Sequence, residues 1–276
     1  MSAEPSDSVH TPSPDDTGPR IGCAGWSIAT RDAALFGDGD SLLARYATRF
    51  DCVEINSSFH RPHRPATYAR WAASVPPTFR FSVKLPRTIT HDARLQRCAP
   101  ALDTFLAAAC HLGDALGALL VQLPPSLRYD ARVAATFMAM LRRRWAGDIA
   151  CEPRHASWLT AEADALLQRH RIARVAADPP RHAVDAQPGG TRSLAYWRWH
   201  GAPRIYYSDY PPDALARIAA QVSGCSSARQ WVIFDNTAAG CAVANAATLQ
   251  TLVKSSSPHH VGVCQDAASR RRPDDP

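Results

Sequence analysis

The chain has 276 residues, 46% of them hydrophobic, and a formal net charge of +6 at pH 7. That length suits a single α/β barrel, which needs about 250 residues, and no apolar run approaches the ~18 residues of a membrane span. The positive charge is almost all arginine and is scattered. Lys84 and Lys254 are the two lysines, and Arg142, Arg143 and Arg144 form the densest basic run within the expected fold. A solvated helix face accounts for that run more simply than a nucleic-acid surface does.

Residues 1–19 are rich in Ser, Pro and Asp and lack an apolar core, so they read as a disordered tail rather than a signal or transit peptide. Residues 255–276 read the same way, leaving residues 20–254 as one domain. The eight cysteines show no CxxC or clustered Cys/His spacing. Cys23, Cys52 and Cys151 sit inside apolar runs, as small hydrophobes do. Reduced thiols and a cytoplasmic location are therefore expected, with no structural zinc.

Eight β-like runs follow in order, at residues 21–26, 52–56, 79–85, 118–123, 149–152, 172–178, 194–200 and 231–236. Several are almost continuously apolar, as strands covered on both faces must be. Helical patterns fill most gaps. Ser41 is placed to cap a helix carrying Leu42, Leu43, Tyr46 and Phe50, and Tyr68, Trp71 and Val75 recur at helical spacing. Leu102, Phe105, Leu106 and Ala109 repeat the pattern, as do Val133, Phe137, Met140 and Leu141. Two further patterns hold Leu215, Ile218 and Val222, then Leu249, Leu252 and Val253. Strand alternating with helix predicts parallel strands joined by right-handed crossovers, and eight repeats predict closure into a (β/α)8 TIM barrel. The sixth crossover, with Pro179, Pro180, Pro188, Gly189 and Gly190, leaves no room for a good helix and reads as a loop.

In such a barrel the active site lies at the C-terminal strand ends. Those ends carry Trp26, Glu54 with Asn56, Lys84, Gln122, Glu152 with Arg154 and His155, Asp178, Arg198 with His200, and Asp235 with Asn236. Alternation aims Glu54 and Asn56 at one side of their strand, and Arg198 and His200 likewise. Ion pairs that merely close the barrel mouth are the competing account, since buried charge is costly unless paired. Lys84 stands out because a chain that uses Arg elsewhere has placed a compact, titratable ammonium in an apolar strand. The small residues after Asn236 resemble the phosphate-holding turn of many barrels, although a simple capped turn explains them equally well.

The same residues carry a resemblance. Gly22, Gly25 and Trp26, then Val53-Glu54-Ile55-Asn56-Ser57-Ser58-Phe59 with Arg61 and Pro62, are followed by Phe81, Lys84 and Ile89-Thr90-His91. Gln122-Leu123-Pro124-Pro125 and Glu152-Pro153-Arg154-His155-Ala156-Ser157-Trp158 come next, then Arg198, His200, Gly201, Asn236, Gly240, Asn245 and Ala246. In these features the chain resembles the YecE-like barrels, the family termed domain of unknown function 72, from about residue 21 to 252. The resemblance implies a TIM barrel and brings no established reaction with it. The sequence departs from the family pattern at His60, where Tyr is usual, at Asp235, where Asn is usual, and at Thr237, where His is usual.

The leading expectation is a site for a small anionic molecule such as a phosphate ester. Lys84, Arg154 and Arg198 would hold the negative groups, and Glu54 and Glu152 would serve as acid and base. His200 would shuttle protons, or else be a satisfied structural histidine. Asn56, Gln122 and Asn236 would orient the ligand, with Trp26, His155 and Asp178 lining the site. The catalytic set is thus Glu54, Lys84, Glu152 and His200, and the sequence requires no cofactor.

Two alternatives remain open. One is a metal-dependent hydrolase or isomerase using Glu54, Glu152, Asp178, His200 and Asp235. The other is a nucleic-acid-binding module stacking bases on Trp26, Phe59, Trp158, Tyr206 and Tyr207. A glycosidase ranks lower because sugar sites rarely need so many cations.

Overall fold

A computed structural model describes residues 18–256. The expected tails therefore lie outside the described residues, apart from positions 18, 19, 255 and 256. Five strands come first: β1 (Arg20–Ala24), β2 (Cys52–Ile55), β3 (Arg80–Lys84), β4 (Leu116–Gln122) and β5 (Asp148–Glu152). They pair in parallel in chain order. The sixth run is split into β6 (Ala173–Arg174) and β7 (Ala176–Asp178). β6 pairs with β5, while β7 pairs with β9 (Leu194–Trp199). β9 continues to β10 (Arg229–Phe234), which returns to β1. The two ends of the parallel run of strands are thus consecutive halves of one segment, joined through Val175.

The sixth crossover is the expected loop, with two small embellishments. A 3₁₀ turn spans Ala183–Ala186, and β8 (Gly189–Gly190) pairs antiparallel with β6. Gly190 has φ +67°, and a Cβ there would collide with the Ile172 carbonyl. Arg174 fastens this loop by donating to Val184 O (2.9 Å) and to Asp164 Oδ1 (3.0 Å).

The helices are α1 (Leu42–Ala47), α2 (Ser57–His60), α3 (Pro65–Ala73), α4 (Ala99–Ala109), α5 (Ala131–Arg144), α6 (Ala161–Arg169), α7 (Pro212–Ser223) and α8 (Ala242–Ser256). Ser41 does cap α1, accepting from the Ala44 amide at 3.1 Å, as Asp130 and Thr160 cap α5 and α6. Leu42, expected in the core, is out of phase with Leu43 and Tyr46 and is 55% exposed. Of the Arg142–Arg144 run, Arg143 and Arg144 are exposed as a solvated helix face requires, while Arg142 is half-buried. Arg142 lies across the C-terminal end of α5 and donates to the carbonyls of Ala146, Gly147, His170 and Arg171, while Arg144 pairs with Asp103. Carbonyls that the helix end and the next loop leave free are satisfied this way.

Strand alternation sorts the apolar residues into two cores. Val53, Ile55, Phe81, Val83, Leu119, Val121 and Cys151 face outward and meet the helices. Cys52, Ala118, Leu120, Ala150, Val175, Leu194, Tyr196, Trp231 and Ile233 fill the barrel interior. Every cysteine among the described residues is free. None of the described helices is long and apolar enough to cross a membrane.

Candidate functional site at the barrel mouth

The inward positions that follow the interior apolar layer are polar. Glu54, Ser82, Lys84, Gln122, Glu152, Arg198, His200 and Asp235 are all buried, at 8% exposure or less. Arg198, fully buried on β9, organises them. Its Nε and Nη2 donate to Glu54 Oε2 (3.0 Å) and Oε1 (2.7 Å). Nη1 donates to Glu152 Oε2 (2.6 Å), and Nη2 also donates to Asp235 Oδ2 (2.9 Å). A guanidinium has five N–H groups in a fixed fork, and three carboxylates occupy most of them. Arg198 thus spends four hydrogen bonds on the carboxylates of Glu54, Glu152 and Asp235.

The carboxylates have further partners. Tyr196 donates its hydroxyl to Glu54 Oε2 (2.8 Å) and lies 2.8 Å from Ser82 Oγ. Gln122 donates to Glu152 Oε1 at 2.9 Å, which engages the amide expected to orient a ligand. His200 Nδ1 is 2.9 Å from Asp235 Oδ2, and its Nε2 lies 3.5 Å from Glu152 Oε1 without forming a hydrogen bond.

These contacts set the charge states. Burial opposes ionisation of Glu152, but the charges of Arg198, His200 and Arg154 outweigh it and hold the carboxyl well below the usual range. Asp235 is likewise held low, with Arg198 and His200 overcoming its burial. Burial and Arg198 oppose protonation of His200, yet Glu152 and the Asp235 hydrogen bond raise its pKa above the ordinary 6.5. Glu152 and Asp235 are therefore held as carboxylates, and His200 is drawn toward its protonated form.

Lys84 differs from its neighbours. It ends β3 and faces inward, yet among the described residues no carboxylate comes within the 4.0 Å of an ion pair. Its Nζ sits 4.3 Å from the centroid of the Phe59 ring instead. The short helix α2 brings that ring there, because the Ser58 hydroxyl bonds the Lys84 carbonyl at 2.7 Å. Burial first, then Arg198, lowers the Lys84 pKa from 10.5 to about 8, against the opposing charges of Glu54, Glu152 and Asp235.

A π-helical turn, Thr88–Asp92, carries His91 against Phe59 at 4.9 Å. Burial lowers the His91 pKa, and the charges of Lys84, Arg87 and Arg154 add to the effect. Arg154 has a 3.8 Å ion pair with Glu152 Oε1 and, among the described residues, no hydrogen bond.

Other expected site residues lie elsewhere or have other tasks. Gly25 turns the chain at φ +93°, so Trp26 leaves the barrel mouth and packs on Trp71 at 5.1 Å. There it lines an outer groove of about 550 Å³ between α1 and α3. His155 caps a 3₁₀ turn, accepting from the Ser157 amide at 3.1 Å. Asp178 accepts from the Tyr210 hydroxyl at 2.6 Å, and that hydroxyl receives the Gly201 amide, bracing the loop after β9. Asn236 uses both amide protons on Ser208 O (3.0 Å) and Asn245 Oδ1 (2.8 Å). Asn56 begins α2 without capping it. Buried Asn56 Oδ1, His200 Nε2 and Asn236 Oδ1 have no hydrogen-bond partner among the described residues.

Trp158, expected as an exposed stacking surface, is buried and donates to Leu127 O at 3.0 Å. Tyr206 and Tyr207 remain exposed. The five residues of the metal reading do not assemble, since Asp178 is engaged by Tyr210 and the carboxylates turn toward Arg198. No group of three or more possible ligands has metal-holding geometry among the described residues. Tyr196 and Ser82 were missed as members of the site, although two-residue alternation back from Arg198 and Lys84 points to both.

Three comparisons agree with this architecture. A sequence model for the protein of unknown function DUF72 matches residues 20–269. Over 86 residues the chain is 35% identical to the UPF0759 protein YecE of Escherichia coli K12, a stretch covering 31% of this chain and only 32% of that relative's length. Among solved structures, a DUF72 family protein of Enterococcus faecalis superposes with a TM-score of 0.72 at 21% identity, over 85% of this chain and 95% of that one. One from Thermotoga maritima gives 0.71 at 22% identity, over 86% and 99%. At those identities the structures speak for the fold alone, whereas the sequence match spans nearly all of the barrel: the chain belongs to the DUF72 family.

Proposed function

We propose that the barrel mouth binds a small anionic molecule and acts on it by acid–base chemistry. The observation that carries this reading is Lys84, a buried ammonium without an ion-pair partner among the described residues, beside three carboxylates that pair with Arg198 instead. A lysine kept only for stability would sit against one of those carboxylates, because an unpaired buried charge is costly. Arg154, with its hydrogen-bond donors uncommitted, is the natural second cation for the anion. Lys84, at a pKa of about 8, and His200 are the groups poised to exchange protons near neutral pH. Buried Asn56 Oδ1, which has no hydrogen-bond partner among the described residues, supports the reading, since buried polar atoms without partners concentrate at functional sites.

Titrating inorganic phosphate into the protein by calorimetry tests the anion site. Saturable binding is expected, weakened about tenfold or more by Arg154→Gln, and falling at pH above about 8 as Lys84 loses its charge. Binding indifferent to both Arg154→Gln and Lys84→Met would overturn the reading. Proton transfer is tested separately, by following deuterium uptake from D2O into small carboxylated and phosphorylated compounds.

A further inference from the structure

We infer that Lys84 is a nucleophilic amine that captures a small carbonyl compound bearing an anionic group, such as a 2-oxo acid or a phosphorylated aldehyde, as an imine at the barrel mouth. The inference rests on the anion-binding reading and names the substrate class of that site. A lysine serving only as a charge needs no particular environment, but one that attacks a carbonyl needs three things. Its nitrogen must be free of a carboxylate, it must spend time neutral, and the cationic product must be stabilised.

Each requirement is met by geometry around β3. The Lys84 side chain emerges beside the face of Phe59, which receives a cation at 4.3 Å, and no described carboxylate reaches ion-pair distance of the nitrogen. Glu54, Glu152 and Asp235 lie farther off, locked on Arg198, yet their charges still act on Lys84. They therefore favour a positive iminium without quenching the nucleophile. With a pKa of about 8, about a tenth of the amine is neutral at pH 7. Arg154 provides a partner for the anionic end of the substrate, and that contact would orient the carbonyl.

The chemistry balances without an added oxidant or reductant. The lone pair of neutral Nζ attacks the carbonyl carbon, a C–N bond forms, and the carbonyl π pair moves to oxygen. A proton passes from nitrogen to that oxygen, giving a carbinolamine. Protonated His200, hydrogen-bonded to Asp235 at 2.9 Å, then gives its proton to the hydroxyl, and water leaves as the C=N bond forms. The remaining nitrogen proton stays on the iminium or returns to His200. The sum is amine plus carbonyl giving imine plus water.

The chain's two lysines make the test clean, because Lys254 is exposed and serves as an internal control. The full chain is incubated with pyruvate, and separately with glycolaldehyde phosphate, in the presence of sodium cyanoborohydride, and adducts are mapped by peptide mass spectrometry. The expected result is one reduced adduct on Lys84, at least about tenfold above Lys254 and the amino terminus. Lys84→Arg keeps the charge and should leave only that background, with folding verified by circular dichroism. Equal labelling of Lys254, or undiminished total labelling in Lys84→Arg, would overturn the inference. Phosphate titration separates the two readings. Phosphate binding without trapping removes the imine alone, while trapping without any phosphate binding removes the anion site.

Discussion

Arg198 and Glu54 meet across the barrel in a two-pronged ion pair, Nε to Oε2 at 3.0 Å and Nη2 to Oε1 at 2.7 Å, with both side chains fully buried. They are 144 residues apart in sequence. The pair fixes β2 against β9. Tyr196 adds its hydroxyl as a further donor to Glu54 Oε2.

Removing one member of such a network leaves uncompensated buried charge. Arg198→Met is expected to cost about 3–5 kcal/mol of unfolding free energy, because three carboxylates lose their shared cation. Urea unfolding at neutral pH measures it. A loss no larger than that of an ordinary surface substitution would show that the carboxylates do not depend on Arg198.

Tyr196→Phe makes a gentler test of the same layer. It deletes the hydroxyl shared by Glu54 and Ser82 while keeping the ring against Trp231. About 1–3 kcal/mol should be lost, since Glu54 keeps Arg198 but loses a charge-assisted donor. Denaturant midpoints of the variant and of Ser82→Ala, measured together, check whether the two changes overlap as one network would require.

The pH dependence of stability has two limbs with opposite causes. Glu152 and Asp235 have folded pKa values below their ordinary 4.5 and 3.8, so their contribution is present above those values and lost as pH falls through the lowered ones. The folded pKa of His200 is raised above 6.5, so its contribution is complete below 6.5 and disappears as pH rises through the folded value. Stability from this cluster should therefore peak between about 4.5 and 6.5. His200→Gln should flatten the alkaline limb in urea titrations, and an unchanged slope above 6.5 would contradict the assignment.

Lys84 works against the fold. Its pKa falls from 10.5 to about 8, so the charged form is disfavoured at neutral pH, and that cost is relieved as pH rises from 8 toward 10.5. Lys84→Met should consequently raise unfolding stability by roughly 1–3 kcal/mol at pH 7. Thermal unfolding of the variant decides the matter. A destabilised Lys84→Met would mean that the ammonium is structural after all.

How much was legible beforehand follows from what local sequence controls. Alternation along a strand is a property of the pleat, so Tyr196, Arg198 and His200 must share a face wherever β9 lies. Glu54 and Lys84 are likewise assigned to the interior by their apolar flanks. Eight such runs separated by helical patterns specified the barrel, and the proline- and glycine-rich stretch before β9 specified its irregular crossover. Only the tertiary structure decided which charge meets which. Glu54, Glu152 and Asp235 come from three strands, and their competition for one guanidinium depends on distances across the ring that no periodicity encodes. The same closure turned Asp178 toward Tyr210, and the left-handed turn at Gly25 carried Trp26 out to Trp71. It also left the Lys84 nitrogen over an aromatic face, beyond ion-pair reach of every described carboxylate.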